Sequence, residues 1–273
     1  MLKKFADDTK GLKIIKNVQD QEKLQDTLDN LARWAKDWGM KFNIPKCKIL
    51  HVGANNPGYK YSMEGTELQE VTEEKDIGIL MHQSLKPTKQ CKKAADMAGA
   101  VLKQITKNFH FRDKNIFKKL YVQYVRPHLE FASPVWSPWL EQDIETLEKV
   151  QKRAIGMISG LSGQNYIEKC QELKLDTLRV RREKQDLQEM FKIMKGTGAL
   201  NPDALFSKPE TRPGVATRSA DDPHHLQVPR SRLEVRKNSF TIRIIEKWNA
   251  LPAEMKSLER MNQFKCALNN YPG

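Results

Sequence analysis

The spacing of apolar residues changes at Pro87, and no other feature constrains the fold of this chain as strongly. Upstream, Leu24, Leu28, Leu31, Ala35 and Trp38 recur at alternating steps of four and three, the signature of one helix face, and the run ends at Gly39, a good residue for leaving a helix. Around that helix the spacing is two. Met40 and Phe42 alternate with Lys41 and Asn43, and the run Cys47 to Val52 follows Pro45. Tyr59, Tyr61 and Met63 follow the Asn55-Asn56-Pro57-Gly58 turn cluster, and a further strand is expected from Asp76 to Met81, after the Gly65 turn.

Downstream of Pro87 the spacing is helical. Cys91, Ala95, Ala98, Leu102 and Ile105 share one face, with Lys89, Lys92, Lys93, Lys103 and Lys107 elsewhere on the same segment. Asp113 is placed to cap a second helix carrying Phe117, Leu120, Tyr121 and Tyr124 up to Pro127, where helices stop. Ile144, Leu147, Val150, Ala154 and Ile158 mark a third; Leu178, Leu187, Met190, Phe191 and Met194 mark a fourth. The spacing predicts an α+β chain in four parts: mixed structure over 1–86, helices over 87–195, an aperiodic loop or linker over 196–236, and a helical tail over 237–273. Met1 to Lys4 leaves no room for a strand of its own ahead of Asp7 and Asp8.

The formal net charge of +13 favours a polyanionic partner, nucleic acid first and an acidic membrane second, although lysines also simply solvate helix faces. No apolar run reaches the roughly 18 residues needed to span a bilayer, and Met1-Leu2-Lys3-Lys4 lacks the apolar core of a signal peptide, so a chain with no membrane partner is expected. Cys47, Cys91, Cys170 and Cys266 are widely spaced and contain no CxxC pair, so neither a zinc ribbon nor a dense disulfide framework is indicated, and a reducing, intracellular compartment fits. His224 and His225 adjoin Asp221 and Asp222, an arrangement that reads as a solvated loop unless further ligands converge on it.

Asp7 and Asp8 form the one tight acidic pair at a turn between extended segments. Phosphoryl transfer by two divalent cations needs carboxylates converging on ions about 3.5–4 Å apart, and Mg2+ takes such hard oxygen ligands. An Asp-Asp dipeptide equally suits a solvated turn.

Phe5-Ala6-Asp7-Asp8-Thr9 resembles the YADD/FADD box of reverse transcriptases, and the segments after it follow the order found in non-LTR (LINE, jockey-like) retrotransposon enzymes. The Leu24 to Trp38 helix, Gly39-Met40-Lys41-Phe42-Asn43 and Lys46-Cys47-Lys48 resemble the helix and lysine-bearing strand that follow the box. Lys75-Asp76-Ile77-Gly78-Ile79 resembles the Lys-x-Leu-Gly segment that closes the palm. Leu147 to Ala154 looks like the thumb helix, and Leu175 to Arg182 like the Leu-x-x-Leu-x-x-Arg-Arg segment beyond it. Ser239-Phe240, Trp248-Asn249-Ala250-Leu251-Pro252 and Phe264-Lys265 resemble the same elements' tail.

The resemblance implies a right-hand polymerase palm, cut short at its acidic hairpin, followed by an all-α thumb and a helical tail. It also implies RNA-directed DNA synthesis on an RNA template and DNA primer. Asp7 and Asp8 would hold Mg2+, and Lys46 would assist proton transfer to pyrophosphate, unless it is only a lysine that discourages pairing at a strand edge. Lys89, Lys92, Lys93, Lys149, Lys152 and Arg153 would neutralise backbone phosphates without reading sequence. Such enzymes carry fingers, a first palm Asp and a glycine-bearing primer helix ahead of the acidic box. None of these fits in Met1 to Lys4, so no polymerase activity is expected from the chain alone. The family's endonuclease and a Cys/His knuckle are also not found. Two other readings stand beside this one: a non-catalytic protein that binds nucleic-acid backbone through the thumb, and a helical interaction module anchored by Trp136 and Trp139.

Overall fold

A computed structural model describes residues 1–53, 55–110, 113–209 and 222–271. The protein is an α+β chain in two compact units, Met1–Lys86 and Pro87–Gly273.

The first unit opens on a hairpin. Strand β1 (Leu2–Phe5) pairs antiparallel with β2 (Asp8–Gly11), Leu2 opposite Gly11 and Phe5 opposite Asp8. This corrects the expectation that Met1 to Lys4 holds no strand: four residues suffice because Ala6 enters the turn at φ 53° and reverses the chain in two residues. Helix α1 (Val18–Asp37) follows, capped by the Asn17 side chain, which accepts from the Asp20 N–H. Ala32 is buried with Tyr61, Met63 and Leu68, and Leu24, Leu28, Phe42, Ile44 and Ile49 pack against them. Trp38, expected on that buried face, is 71% exposed, because the helix ends at Asp37 and Trp38 caps it instead of completing another turn.

The remaining strands are short. They are β3 (Lys48–Leu50), β4 (Ser62–Met63), β5 (Thr66–Glu67), β6 (Gln69–Val71), β7 (Glu73–Asp76) and β8 (Ile79–His82). They join in pairs, β3 with β6 parallel, β4 with β5 and β7 with β8 antiparallel, so the described residues of this unit form four two-stranded sheets, the opening hairpin included. Two expectations change. Met40 to Asn43 forms no strand, and the chain tightens into a 3-10 turn over Ile44–Lys46 with Pro45 in its first turn. Asp76 to Met81 is the tip of a hairpin, not one strand, since Ile77 (φ 44°) and Gly78 (φ 86°) turn the chain between β7 and β8. The Gln25 carboxamide joins α1 to β4 by accepting from the Ser62 N–H at 3.0 Å and donating to the Ser62 carbonyl at 2.8 Å.

The second unit is helical. Helix α2 (Thr88–Asn108) buries Cys91, Ala95, Ala98, Leu102 and Ile105, the face its spacing marked. The Asp113 carboxylate caps α3 (Lys114–Leu120), accepting from the Asn115 and Ile116 N–H groups. Pro127 does not end the helical run as expected. A π-turn over Tyr121–Val125 widens the ladder and leads into α4 (Arg126–Glu130), where Pro127 lies in the first turn and needs no N–H partner. Then come α5 (Ser133–Trp136), α6 (Glu141–Gly156), α7 (Tyr166–Glu172) with an Asn165/Glu168 capping box, and α8 (Leu178–Met194).

The stretch 196–236, expected as a loop or linker, contributes to the core. After α9 (Pro202–Leu205), Phe206 is buried, and so is Leu226. Both pack with Leu187, Met190 and Phe191 of α8 and with α11 (Phe240–Ala250), α12 (Ala253–Ser257) and α13 (Met261–Asn270). α10 (Glu234–Lys237) precedes α11. Aperiodicity misled because this segment is held by single bonds, not by a repeating face. The Asn249 side chain accepts from the Leu226 N–H (3.0 Å) and donates to its carbonyl (2.8 Å), and the Trp248 indole N–H donates to the His224 carbonyl (3.0 Å).

Lys256, whose side chain is 0% exposed, pairs with Asp222 at 2.6 Å and donates to the Asn249 carbonyl at 3.1 Å. Burial alone would raise the Asp222 pKa, but the Lys256 hydrogen bond, the His224 N–H and the charges of Lys256 and His224 outweigh it and hold the carboxyl below its ordinary value. A depressed carboxyl pKa adds stability above the unfolded value, lost as pH falls through the folded one. Asp222→Asn is therefore expected to lower stability at neutral pH and to flatten the acid limb of the stability-versus-pH curve below pH ~4. Urea unfolding across a pH series measures both effects, and an unchanged acid limb would show that the pair adds nothing.

Candidate nucleic-acid interface

The residues nominated from the sequence lie in both units. In the first, the hairpin places Asp7 in the turn and Asp8 at the start of β2, and both carboxylates are exposed. Lys4 lies over the Trp34 ring at 4.2 Å, and Lys10 pairs with Asp76, so the strands flanking the box are tied down by lysines. Lys46, expected on a strand, sits exposed at the end of the Ile44–Lys46 turn; Lys48 enters β3 instead and bonds to the Gln69 side chain.

Mg2+ at the acidic box is testable from the donor set. Two-metal chemistry needs several carboxylates converging on one point. Asp7 and Asp8 are adjacent, and among the described residues no group of three His, Cys, Asp or Glu could hold an ion. The two carboxylates alone do not fit a two-metal centre.

In the second unit, α6 divides its residues by facing. Leu147, Glu148, Gln151, Ala154 and Ile155 point inward, while Lys149 and Arg153, four apart on the opposite side, are exposed. Lys152 differs: its ammonium reaches both carboxylate oxygens of Glu145 at 3.0 Å and lies 5.3 Å from the Tyr166 ring centre, so an internal partner already occupies it. On α2, Lys89 and Lys92 are exposed and Lys93 is half-buried. The Thr88 hydroxyl donates to Asp143 at 2.8 Å, which fixes the start of α2 against the start of α6. At about 1.5 Å of rise per residue, Lys92 stands about 6 Å along α2 from Thr88, and Lys149 and Arg153 about 9 and 15 Å along α6 from Asp143.

The Arg-rich start of α8, part of the family resemblance, serves packing. Arg181 grips both oxygens of Glu130, and Arg126 reaches the same carboxylate at 3.6 Å. Arg179 pairs with Glu141, and its N–H donates to the buried Glu148. Arg182 is buried with both terminal nitrogens lacking a described partner, and burial pulls its pKa below the ordinary arginine value. Inside, Gln151 accepts from the Tyr121 hydroxyl and donates to the Tyr166 hydroxyl and to the Asp176 carbonyl. Burial pushes the Tyr166 hydroxyl up, and its bond to Glu148 pushes it further.

Burial disfavours the thiolate at three of the cysteines. Burial pushes Cys91 up to about 12 and also raises Cys170 and Cys47. Trp136 is buried with its indole N–H on the Phe131 carbonyl, and Trp139 is half-buried, so they are not the exposed anchors an interaction module would use. His224 and His225 belong to the segment bound to α11, and Asp221 lies outside the described residues. Among the described residues no helix is long and apolar enough to cross a membrane. Sequence reasoning passed over Arg230, Arg232 and Arg236, which are exposed ahead of α11; their signal was arginine density in an aperiodic stretch.

No protein-family model, curated protein or solved structure matches this chain.

Proposed function

We propose that this chain is the C-terminal portion of an RNA-directed DNA polymerase of the non-LTR retrotransposon type, and that it binds primer-template through the phosphate backbone. The observation that carries the reading is the acidic box: Phe5-Ala6-Asp7-Asp8 forms a hairpin turn with both carboxylates open to solvent, in a chain whose later segments follow the family's order. The net charge of +13 supplies the field such a partner needs. Asp7 and Asp8 would be two of the palm's metal ligands, Lys46 the proton donor to pyrophosphate, and Mg2+ the cofactor of the complete site. By itself the chain binds without polymerising, because two adjacent carboxylates do not position two metals. It would act wherever retrotransposon RNA is copied, in cytoplasm or nucleus.

The backbone-binding part stands separately from the catalytic part, because Lys92, Lys149 and Arg153 are exposed on helices irrespective of the acidic box. Each phosphate neutralised contributes a slope of about −0.7 to −0.9 to log affinity against log salt. Those three contacts alone weaken binding roughly 20- to 40-fold from ~50 to ~200 mM salt. Titration of a labelled RNA–DNA primer-template with the full chain, with and without Mg2+, tests this. Salt-dependent binding that needs no Mg2+, unchanged by Asp7→Asn with Asp8→Asn, is the expected result. Absence of binding at low salt would remove the nucleic-acid reading, and primer extension abolished by Asp7→Asn would show a working site in this chain.

A further inference from the structure

The segment between Gln227 and α10 is unlike the rest of the surface. It runs Val228-Pro229-Arg230-Ser231-Arg232-Leu233 without regular structure, and Pro229 restricts Val228 to extended backbone. Both its ends are fixed. At one end the Gln227 N–H donates to the Ser207 carbonyl at 2.8 Å, one residue after Leu226 is gripped by Asn249. At the other, the Arg243 guanidinium donates to the Asn238 carbonyl at 2.9 Å, just beyond α10.

Arg230, Arg232 and Arg236 are exposed, and none of the three guanidiniums has a hydrogen bond or ion pair with a described residue. The neighbouring Glu234 is already paired with Lys237 at 2.6 Å, so it does not neutralise them. Other arginines of this unit behave differently: Arg126, Arg179, Arg181 and Arg243 all hold carboxylates. Those four are taken by internal pairs, whereas Arg230, Arg232 and Arg236 stand within seven residues of one another with their guanidiniums open to solvent.

Resting on the backbone-binding reading above, we infer that this tethered arm, together with α10 that continues it, is a nucleic-acid contact in its own right, with Arg230, Arg232 and Arg236 each meeting a backbone phosphate. Arginine suits that partner because its planar fork offers paired N–H donors to phosphate oxygens and it sheds water more readily than lysine. Fixing both ends lowers the ordering entropy that binding must overcome. Contacts to phosphates position the arm on the backbone and carry no sequence information. An acidic lipid surface is the competing partner, but only Val228 and Leu233 would enter it, too little apolar area to hold a peripheral segment.

The test compares the full chain with a variant carrying Arg230→Gln, Arg232→Gln and Arg236→Gln, titrated with labelled RNA–DNA duplex across a salt series. Three lost phosphate contacts should make the log–log slope shallower by about 2 to 3. The matching arginine-to-lysine variant should keep most of that slope, since it keeps the charge. The glutamines replace exposed side chains, so an unchanged thermal melt is expected and separates a lost contact from a lost fold. If the wild-type chain binds with a salt slope that the glutamine variant leaves intact, the arm is not the contact, while the backbone-binding reading survives. If the wild-type chain fails to bind at low salt, both fall. Arm-dependent binding to phosphatidylserine vesicles, with the nucleic-acid slope unchanged, would reassign the arm to membranes.

Discussion

Arg243→Ala is expected to destabilise the helical unit by about 3–5 kcal/mol, the cost of leaving a buried charge without its partner. Arg243 donates to both oxygens of Asp186 on α8 at 2.9 Å, to the Pro134 carbonyl in α5 at 2.8 Å and to the Asn238 carbonyl. It also stands 5.7 Å from the Phe240 ring centre. One side chain thus ties three elements that are distant in sequence. Burial already pushes the Asp186 carboxyl above its ordinary value, against the pull of Arg243 and Lys247. Without Arg243 that pull weakens and Asp186 takes up a proton more easily, so the penalty should shrink at mildly acid pH. Urea unfolding of the full chain at neutral and mildly acid pH measures it. A double change, Arg243→Met with Asp186→Leu, should recover much of the loss, because well-packed apolar side chains often replace a buried pair without cost. If the single change costs under about 1 kcal/mol, the pair is not the tie described.

Trp248→Ala is expected to cost about 3–5 kcal/mol as well, by a different route. Trp248 is fully buried between α8 and α13, with its ring centre 6.3 Å from that of Phe264, which stacks on Phe191 at 4.3 Å. Truncation removes that packing and strands the His224 carbonyl, whose donor is the indole N–H. Trp248→Phe separates the two contributions: it keeps most of the packing and loses the hydrogen bond, for about 1–3 kcal/mol. Far-ultraviolet circular dichroism during denaturation gives the stability. Hydrogen exchange at the Leu226 amide, which donates to Asn249, reports the local effect. Exchange there that does not accelerate in Trp248→Ala would mean that the segment is held independently of the indole.

The long helices were legible because each carries its apolar residues on one face over four or more turns. Cys91 to Ile105 and Leu178 to Met194 needed no other information. Elements shorter than that window were not legible. α5 and α7 span four and seven residues, and the strands of the first unit two to four, too few for a period to declare itself. Pro127 misled because proline in the first turn of a helix and proline past its end look alike until the preceding π-turn is seen. The Asp-x-Gly run at Asp76-Ile77-Gly78 was an available hairpin cue, outweighed by the apolar residues on either side.

At the candidate site the acidic turn was legible from Asp7 and Asp8 alone. The fate of each basic residue was not, since sequence does not say which lysine finds a carboxylate. Lys152 meets Glu145 seven residues earlier, and the arginines beginning α8 meet Glu130 and Glu141 from α4 and α6. A basic motif on a helix gives the charge but not its partner.

The bond from Gln227 to Ser207 sets the two ends of residues 208–226 side by side, while Phe206 and Leu226 anchor them in the core. Two residues twenty positions apart are thus held by one clamp, and a change that breaks the Gln227–Ser207 bond should loosen Phe206 and Leu226 together rather than one at a time.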